Sequence, residues 1–259
     1  MFLWYQGESD AGRSTEDYQA RLKDLVSRVR KHANNTKMTA VIIQLASCGT
    51  ANLASIREAQ RQFVINDPKA ILVPALGRSM RDSCHLDTPG YQTLGREVAL
   101  ALLKNHYGKT QSSWPGPVMD QAVLSEEGAL VYAHFGEAQE LLGLDLEDFK
   151  VFTAQGTIPC TRIESRGALA ILTLQKPVIL PAQLAYGARP YPASSLQDED
   201  GNRAPAVMLK VTQGKLPDEQ SSSMRWARKS GHSELKLSYG GEVWESCIPS
   251  EIEVQCFSC

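Results

Sequence analysis

Nothing in the 259-residue sequence approaches the roughly 20 uncharged apolar residues that a membrane-spanning helix requires. The best apolar stretch, Met38–Ala46, is of strand length. An excess of one charge is lacking too: 27 basic side chains face 29 acidic ones, for a net charge of −2. Nucleic acid is therefore not expected as a partner, and neither is a membrane. The first residues lack the Lys/Arg-then-apolar layout of a secretory leader. They open instead on Met1-Phe2-Leu3-Trp4-Tyr5, inside a β-prone run, and domains seldom start on a buried strand. The expectation is that the sequence is the C-terminal portion of a longer protein. The six cysteines are too sparse for a disulfide-stapled miniprotein. Cys256-Phe257-Ser258-Cys259 has metal-ligand spacing, but no second pair or nearby His completes a zinc site. What remains, at 42% hydrophobic and 22% charged, is an ordinary globular composition.

Residues 1–108 alternate between strand and helix signals. Phe2–Gln6 reads as a short buried strand and Gly7–Gly12 as a polar turn. Ser14 then caps a helix, with Asp17 three residues on and Tyr18, Leu22, Leu25, Val26 and Val29 forming its inner stripe. Thr39–Leu45 is a β-branched run of the kind buried on both faces of a parallel sheet. Asn52 caps a second helix over Leu53–Val64, where Ile56, Ala59, Gln60 and Phe63 share one side. Ala70–Leu76 gives a third strand, and Tyr91–His106 a third helix that stops at Gly108. This alternation predicts a parallel sheet with helices packed on its faces. Ligands in such folds sit beyond the carboxyl ends of the strands. The loops 6–13 and 77–90 are the ones that fall there.

Lys109–Pro117, with two Pro, two Ser and Gly116, reads as a linker. The runs Ala129–Ala133, Phe149–Thr153, Ala168–Leu174, Val178–Tyr186 and Val207–Val211 follow, separated by Gly, Pro and acidic turns. They predict an antiparallel β-sandwich. Residues 213–259 are polar and weakly patterned, and no structure is assigned to them. The expected division is 1–108, 118–212 and a tail of 213–259.

Two stretches carry chemistry. In Trp4-Tyr5-Gln6-Gly7-Glu8-Ser9-Asp10, Gly7 permits a sharp turn and the Gln6 amide is a donor for an oxyanion at the mouth of the sheet. On composition alone it equally suits a strand-to-helix turn with solvated acids. In Arg81-Asp82-Ser83-Cys84-His85, a carboxylate three residues before an imidazole can hold Nδ1 and leave Nε2 free to take a proton. Taken alone, it is as easily a polar surface turn. His32, His106, His134 and His232 have no partners at ligand spacing, and Trp114 and Trp244 lie outside both stretches.

Trp4–Asp10 and Asp82–His85, with Leu86-Asp87-Thr88-Pro89-Gly90-Tyr91-Gln92-Thr93-Leu94-Gly95-Arg96, together resemble the sialate O-acetylesterase family of SGNH-type carbohydrate esterases. Gln44-Leu45-Ala46 and Ile56-Arg57-Glu58-Ala59-Gln60 are similar to the family segment joining the two blocks. Leu184-Ala185-Tyr186-Gly187 and Pro192–Pro205 resemble the β-sandwich extension of its longer members, with Tyr186-Gly187 in that sandwich's core. The resemblance covers residues 1 to about 212. It implies a flavodoxin-like α/β/α hydrolase core, here partial, followed by a β-sandwich. It also implies hydrolysis of sugar O-acetyl esters through a serine acyl-enzyme, with an acetylated carbohydrate as substrate and no metal or organic cofactor. By the same resemblance His85 is the general base, Asp82 orients it, Gln6 and Gly7 lie in the block that shapes the oxyanion hole, and Glu8 is a polar support. Asp87, which follows the His, has no part in the dyad. Family members are commonly secreted, periplasmic or lysosomal; localisation and oligomeric state are left open by these residues.

The family's nucleophile sits in a Gly-Gln-Ser-Asn block far upstream of the WYQGES strand, and a second block with an oxyanion glycine lies between. Neither occurs here. The expectation is a fragment inactive by itself. The alternative is a non-catalytic remnant that binds glycans or protein. Gly7-Glu8-Ser9-Asp10-Ala11 nearly matches a G-x-S-x-G/A nucleophile elbow, which makes Ser9 a candidate nucleophile. Against it, elbow enzymes place Asp and His on separate loops, whereas here they share one turn.

Overall fold

The computed structural model describes residues 1–109, 115–188 and 196–214 in full, and the backbone of 227–228, 234–239, 242–245 and 253–255. Residues 1–214 form one compact unit and 215–259 another. In the latter, β12 (Ala227–Arg228), β13 (Glu234–Tyr239), β14 (Glu242–Glu245) and β15 (Glu253–Gln255) pair in the order β12-β15-β13-β14.

The first unit begins with three parallel strands, β1 (Phe2–Trp4), β2 (Ala40–Gln44) and β3 (Ala70–Pro74), in that order across the sheet. Three helices join and follow them: α1 (Thr15–His32), α2 (Ala54–Ile65) and α3 (Thr88–Asn105). The central strand β2 is buried at every residue, which explains its uninterrupted apolar run. Ala40 and Ile42 face the Tyr18, Leu22, Val26, Ile56, Ala59 and Phe63 side chains of α1 and α2. Val41 and Ile43 face Leu94, Val98 and Ala101 of α3 on the other side. Alternate residues of one strand thus seed two separate cores.

The helix starts follow local chemistry. Ser14 Oγ accepts from the Asp17 amide at 3.2 Å, as its spacing predicts. Asn52 Oδ1 takes the Ala54 amide at 3.1 Å from two residues ahead of α2, so Leu53 and not Asn52 holds the N-cap position. The third helix starts three residues earlier than its apolar stripe suggests. Asp87 caps it by accepting the Gly90 amide at 2.7 Å, and Pro89 already has the backbone angle a first turn needs.

The second part of this unit is an eight-stranded sheet. Its strands are β4 (Val118–Leu124), β5 (Leu130–Gly136), β6 (Phe149–Thr153), β7 (Gly156–Ile158), β8 (Cys160–Arg166), β9 (Leu169–Leu174), β10 (Ala182–Tyr186) and β11 (Val207–Gln213). They pair in the order β7-β6-β10-β11-β4-β5-β9-β8, antiparallel except for β11 on β4. The two edge strands β7 and β8 are separated in sequence by Pro159 alone, so the end of one lies beside the start of the other. Inside, Phe135, Phe149 and Tyr186 pack ring against ring with centroids 5.2–6.3 Å apart. The strand expected over Val178–Tyr186 is shorter, starting at Ala182, because Pro177 and Pro181 lack the amide donor a ladder requires.

Candidate active site

Both chemistry-bearing loops leave the carboxyl ends of parallel strands, the first after β1 and the second after β3. They meet at an open cavity of about 480 Å³ lined by Tyr5, Glu8, Ser9, Cys48, Cys84, His85 and Tyr91.

The base loop is built around one carboxylate. Asp82 Oδ1 accepts the amides of Cys84 and His85, both at 2.8 Å, closing a tight turn. The His85 ring then lies with Nδ1 3.0 Å from each Asp82 oxygen. A carboxylate acceptor there favours the proton on Nδ1 and leaves Nε2 as the free lone pair. The two backbone amides, followed by the imidazole, hold the Asp82 carboxyl well below the usual carboxylate range. The pair is open to solvent, with side chains 60% and 42% exposed. Asp87 points elsewhere: besides capping α3 it accepts from Ser79 Oγ at 2.5 Å.

In the loop after β1, Gly7 has φ +142°, in the region that favours glycine. A Cβ there would stand 2.8 Å from Tyr18 Oη and 2.9 Å from Ile56 Cγ2. The Gln6 carbonyl accepts from Tyr18 Oη at 2.8 Å and Gln60 Nε2 at 3.3 Å. The Gln6 amide group donates to Asp10 Oδ2 at 3.4 Å, and Gln6 is not among the residues lining the cavity. Asp10 is also bound by Arg13 Nε at 2.5 Å. Glu8 and exposed Ser9 do reach the cavity wall.

Several features were not legible in the sequence. Cys48, in the loop after β2, is disulfide-bonded to Cys84, directly before His85. Tyr5 and Tyr91 add aromatic walls; burial, and then the nearby Glu8 charge, push the Tyr5 phenol well above its ordinary range. The signals available were Tyr5 within the motif and Gln60, a polar residue on an apolar helical stripe. His134, without partners in sequence, gains one in space: Nδ1 lies 2.7 Å from Asp120 Oδ1 on the neighbouring strand. His106 Nδ1 meets Thr39 Oγ1 at 2.8 Å. Trp114, His232, Trp244, Cys256 and Cys259 lie outside the described residues. Among the described residues no group of three or more His, Cys, Asp and Glu side chains is arranged to hold a metal ion.

Residues 1–104 match the family model described as carbohydrate esterase, sialic acid-specific acetylesterase. The structure is similar to that of a carbohydrate acetylesterase from Xanthomonas citri, with a TM-score of 0.65 and 21% identity. The superposition covers 80% of this chain and 49% of that one, so the chain spans about half the length of its structural neighbour. At that identity the likeness speaks for the fold, a mixed α/β architecture. The bacterial S-layer protein SbsC also aligns, at 12% identity and a TM-score of 0.32 over 91% of this chain and 48% of the other, too distant to carry an argument. No curated protein matches the chain.

Proposed function

We propose that the chain carries the base half of a carbohydrate O-acetylesterase site, on a partial SGNH-type α/β/α domain (residues 1–108) followed by a β-sandwich (residues 118–212), with 213–259 as a tail. The observation that carries this reading is the Asp82–His85 dyad at 3.0 Å, opening into the cavity that the Tyr5–Ser9 loop also lines. His85 is the general base, Asp82 fixes its tautomer, and Gln6, Gly7 and Glu8 support the oxyanion block. The nucleophilic serine comes from a Gly-Gln-Ser-Asn block outside residues 1–259. Its Oγ attacks the acetyl carbonyl while His85 Nε2 takes its proton. His85 returns that proton to the departing sugar hydroxyl as the acyl-enzyme forms. Water then attacks the acyl-enzyme, giving its proton to the same nitrogen, and acetate leaves as the serine regains its hydrogen. The substrate is an acetylated carbohydrate.

The test is acetate release from nitrophenyl acetate and from O-acetylated sugars. The 259-residue chain is expected to be inactive. Joined to the residues its gene encodes ahead of Met1, it is expected to turn over, and Asp82→Asn is expected to lower kcat by about 10⁴. Failure of the joined protein to hydrolyse either ester would overturn the reading and favour the binding remnant. One observation favours a second reading: Ser9 and His85 line the same cavity. Hydrolysis by the 259-residue chain, abolished in Ser9→Ala, would move the nucleophile to Ser9.

A further inference from the structure

The segments 44–46 and 56–60 form a buried polar seam between the three-stranded sheet and the eight-stranded one. Gln44, fully buried at the end of β2, donates from Nε2 to Ala206 O at 2.8 Å and accepts the Ala206 amide on Oε1 at 2.7 Å. Glu58 Oε2 accepts the Met208 amide at 3.2 Å. Arg57, 1% exposed, spreads its guanidinium over three carbonyls. Nη1 donates to Gly187 O at 2.9 Å, just past β10, while Nε donates to Leu45 O at 2.9 Å and Nη2 to Ala46 O at 2.6 Å. Gln60 Oε1 meanwhile takes the Leu45 amide at 3.1 Å. One planar cation therefore joins the rim of the eight-stranded sheet to the loop that leaves β2.

That loop leads within two residues to Cys48. From there the disulfide crosses to Cys84, and Gly49 N donates to Ser83 O at 2.8 Å. The turn holding His85 is otherwise closed on its own Asp82 carboxylate and on the bond from Arg81 N to His85 O. The Asp82 and His85 side chains are solvent-exposed, whereas Leu86 on the far side of the imidazole is buried among residues of the α3 core.

We propose that the eight-stranded sheet positions the His85 turn, acting through Arg57 and the Cys48–Cys84 disulfide. Arg57 is a positioning residue here: it is not among the residues lining the cavity. The proposal rests on the reading of His85 as the base, but it is a statement about geometry and can be tested without turnover. The guanidinium fork fixes the carbonyls of residues 45 and 46, these fix Cys48, and the disulfide transmits that position to the residue before the imidazole. A seam that merely glued two layers together would leave the turn indifferent to the disulfide and to the sheet.

The experiment follows backbone amide exchange and the His85 imidazole resonances in the 259-residue chain. Three perturbations are compared: opening the disulfide with dithiothreitol, Arg57→Lys and Gly187→Ala. In the first, the dithiol supplies two electrons and two protons, leaving two protein thiols and its own cyclic disulfide. Arg57→Lys keeps a charge and loses the fork. Gly187→Ala acts from the sheet side, because φ is +68° and a Cβ would lie 2.9 Å from Ala206 Cβ. The expected result is exchange at least tenfold faster in residues 82–86 for all three, with 45–49 also faster in the two substituted chains, while β2 and β5 amides keep their protection. His85 is expected to pass from one environment to several. Reduction opens the last link without touching the core, so it remains decisive if either variant does not fold. An unchanged His85 spectrum and unchanged exchange at 82–86 after reduction would overturn the proposal. So would variants in which every amide accelerates by the same factor. Neither result bears on whether the complete protein hydrolyses an ester.

Discussion

The loop after β1 is stitched into the core by side chains from two helices, whereas the turn that carries His85 in the loop after β3 closes on its own carboxylate and is joined to the loop after β2 by the Cys48–Cys84 disulfide and the Gly49–Ser83 backbone bond. Tyr18 of α1 and Gln60 of α2 both reach the Gln6 carbonyl, and Gly7 is buried against Tyr18, Ile56 and Leu45. His85 and Asp82 stand in solvent. The difference predicts that damage to the first loop is read as lost global stability, and damage to the second as lost local order.

The largest effect is expected from Gly7→Ala. Alanine is strained at φ +142°, and its methyl would stand within 3 Å of the Tyr18 hydroxyl and Ile56. The two costs together amount to about 2–4 kcal/mol. Urea unfolding of the 259-residue chain should show the unfolding free energy falling by that amount, read as a lower midpoint at unchanged m-value. An unfolding free energy within about 0.5 kcal/mol of the parent's, the size of a surface change, would mean that the first loop is as loosely held as the second.

Gln60→Leu should come next. The side chain is fully buried, and leucine would fill much of its volume while orphaning the Leu45 amide. An unsatisfied buried amide costs about 1–3 kcal/mol. Gln6 O keeps its bond from Tyr18, so the loss should stay below that of Gly7→Ala. The reverse order would place the anchor of this loop on α2 instead of in the turn.

The same contrast explains what was legible beforehand. The Asp82–His85 turn is a local object, four residues long, and its chemistry is visible as spacing. The strands β2 and β3 announce themselves because burial on both faces demands an unbroken apolar run. Strand β8, Cys160–Arg166, is largely exposed and carries no such run, so nothing in its composition marks it. The disulfide joins residues 36 apart in sequence and depends on topology: loops at the same end of the adjacent strands β2 and β3 are brought together only by the fold. Gln44, Arg57 and Gln60 read as parts of a resemblance, and their work is likewise three-dimensional, since each bonds to a backbone group at least twelve residues away. Local devices are readable from sequence; fasteners between distant segments are not.

The smallest effect on the whole molecule, and the sharpest on the second loop, should come from pH. The folded state holds the Asp82 carboxyl below its unfolded value through the Cys84 and His85 amides and the His85 ring. A depressed carboxylate contributes stability that is present in full above the unfolded value and is lost as pH falls through it toward the folded one. The window therefore opens near pH 5 and extends downward below the ordinary carboxylate range. Because the group is solvent-exposed, screening keeps the global consequence small, and the melting curve should move far less than in Gly7→Ala. Locally the change should be complete. Carbon-detected titration of Asp82 should place its midpoint below the ordinary carboxylate range, and the Cys84 and His85 amides should lose protection with the same midpoint. In Asp82→Asn those amides should show no acid transition. If they titrate with the bulk carboxylates, or keep their protection once Asp82 is neutral, then something other than this carboxylate holds the turn, and the contrast between a core-anchored loop and a self-closed one fails.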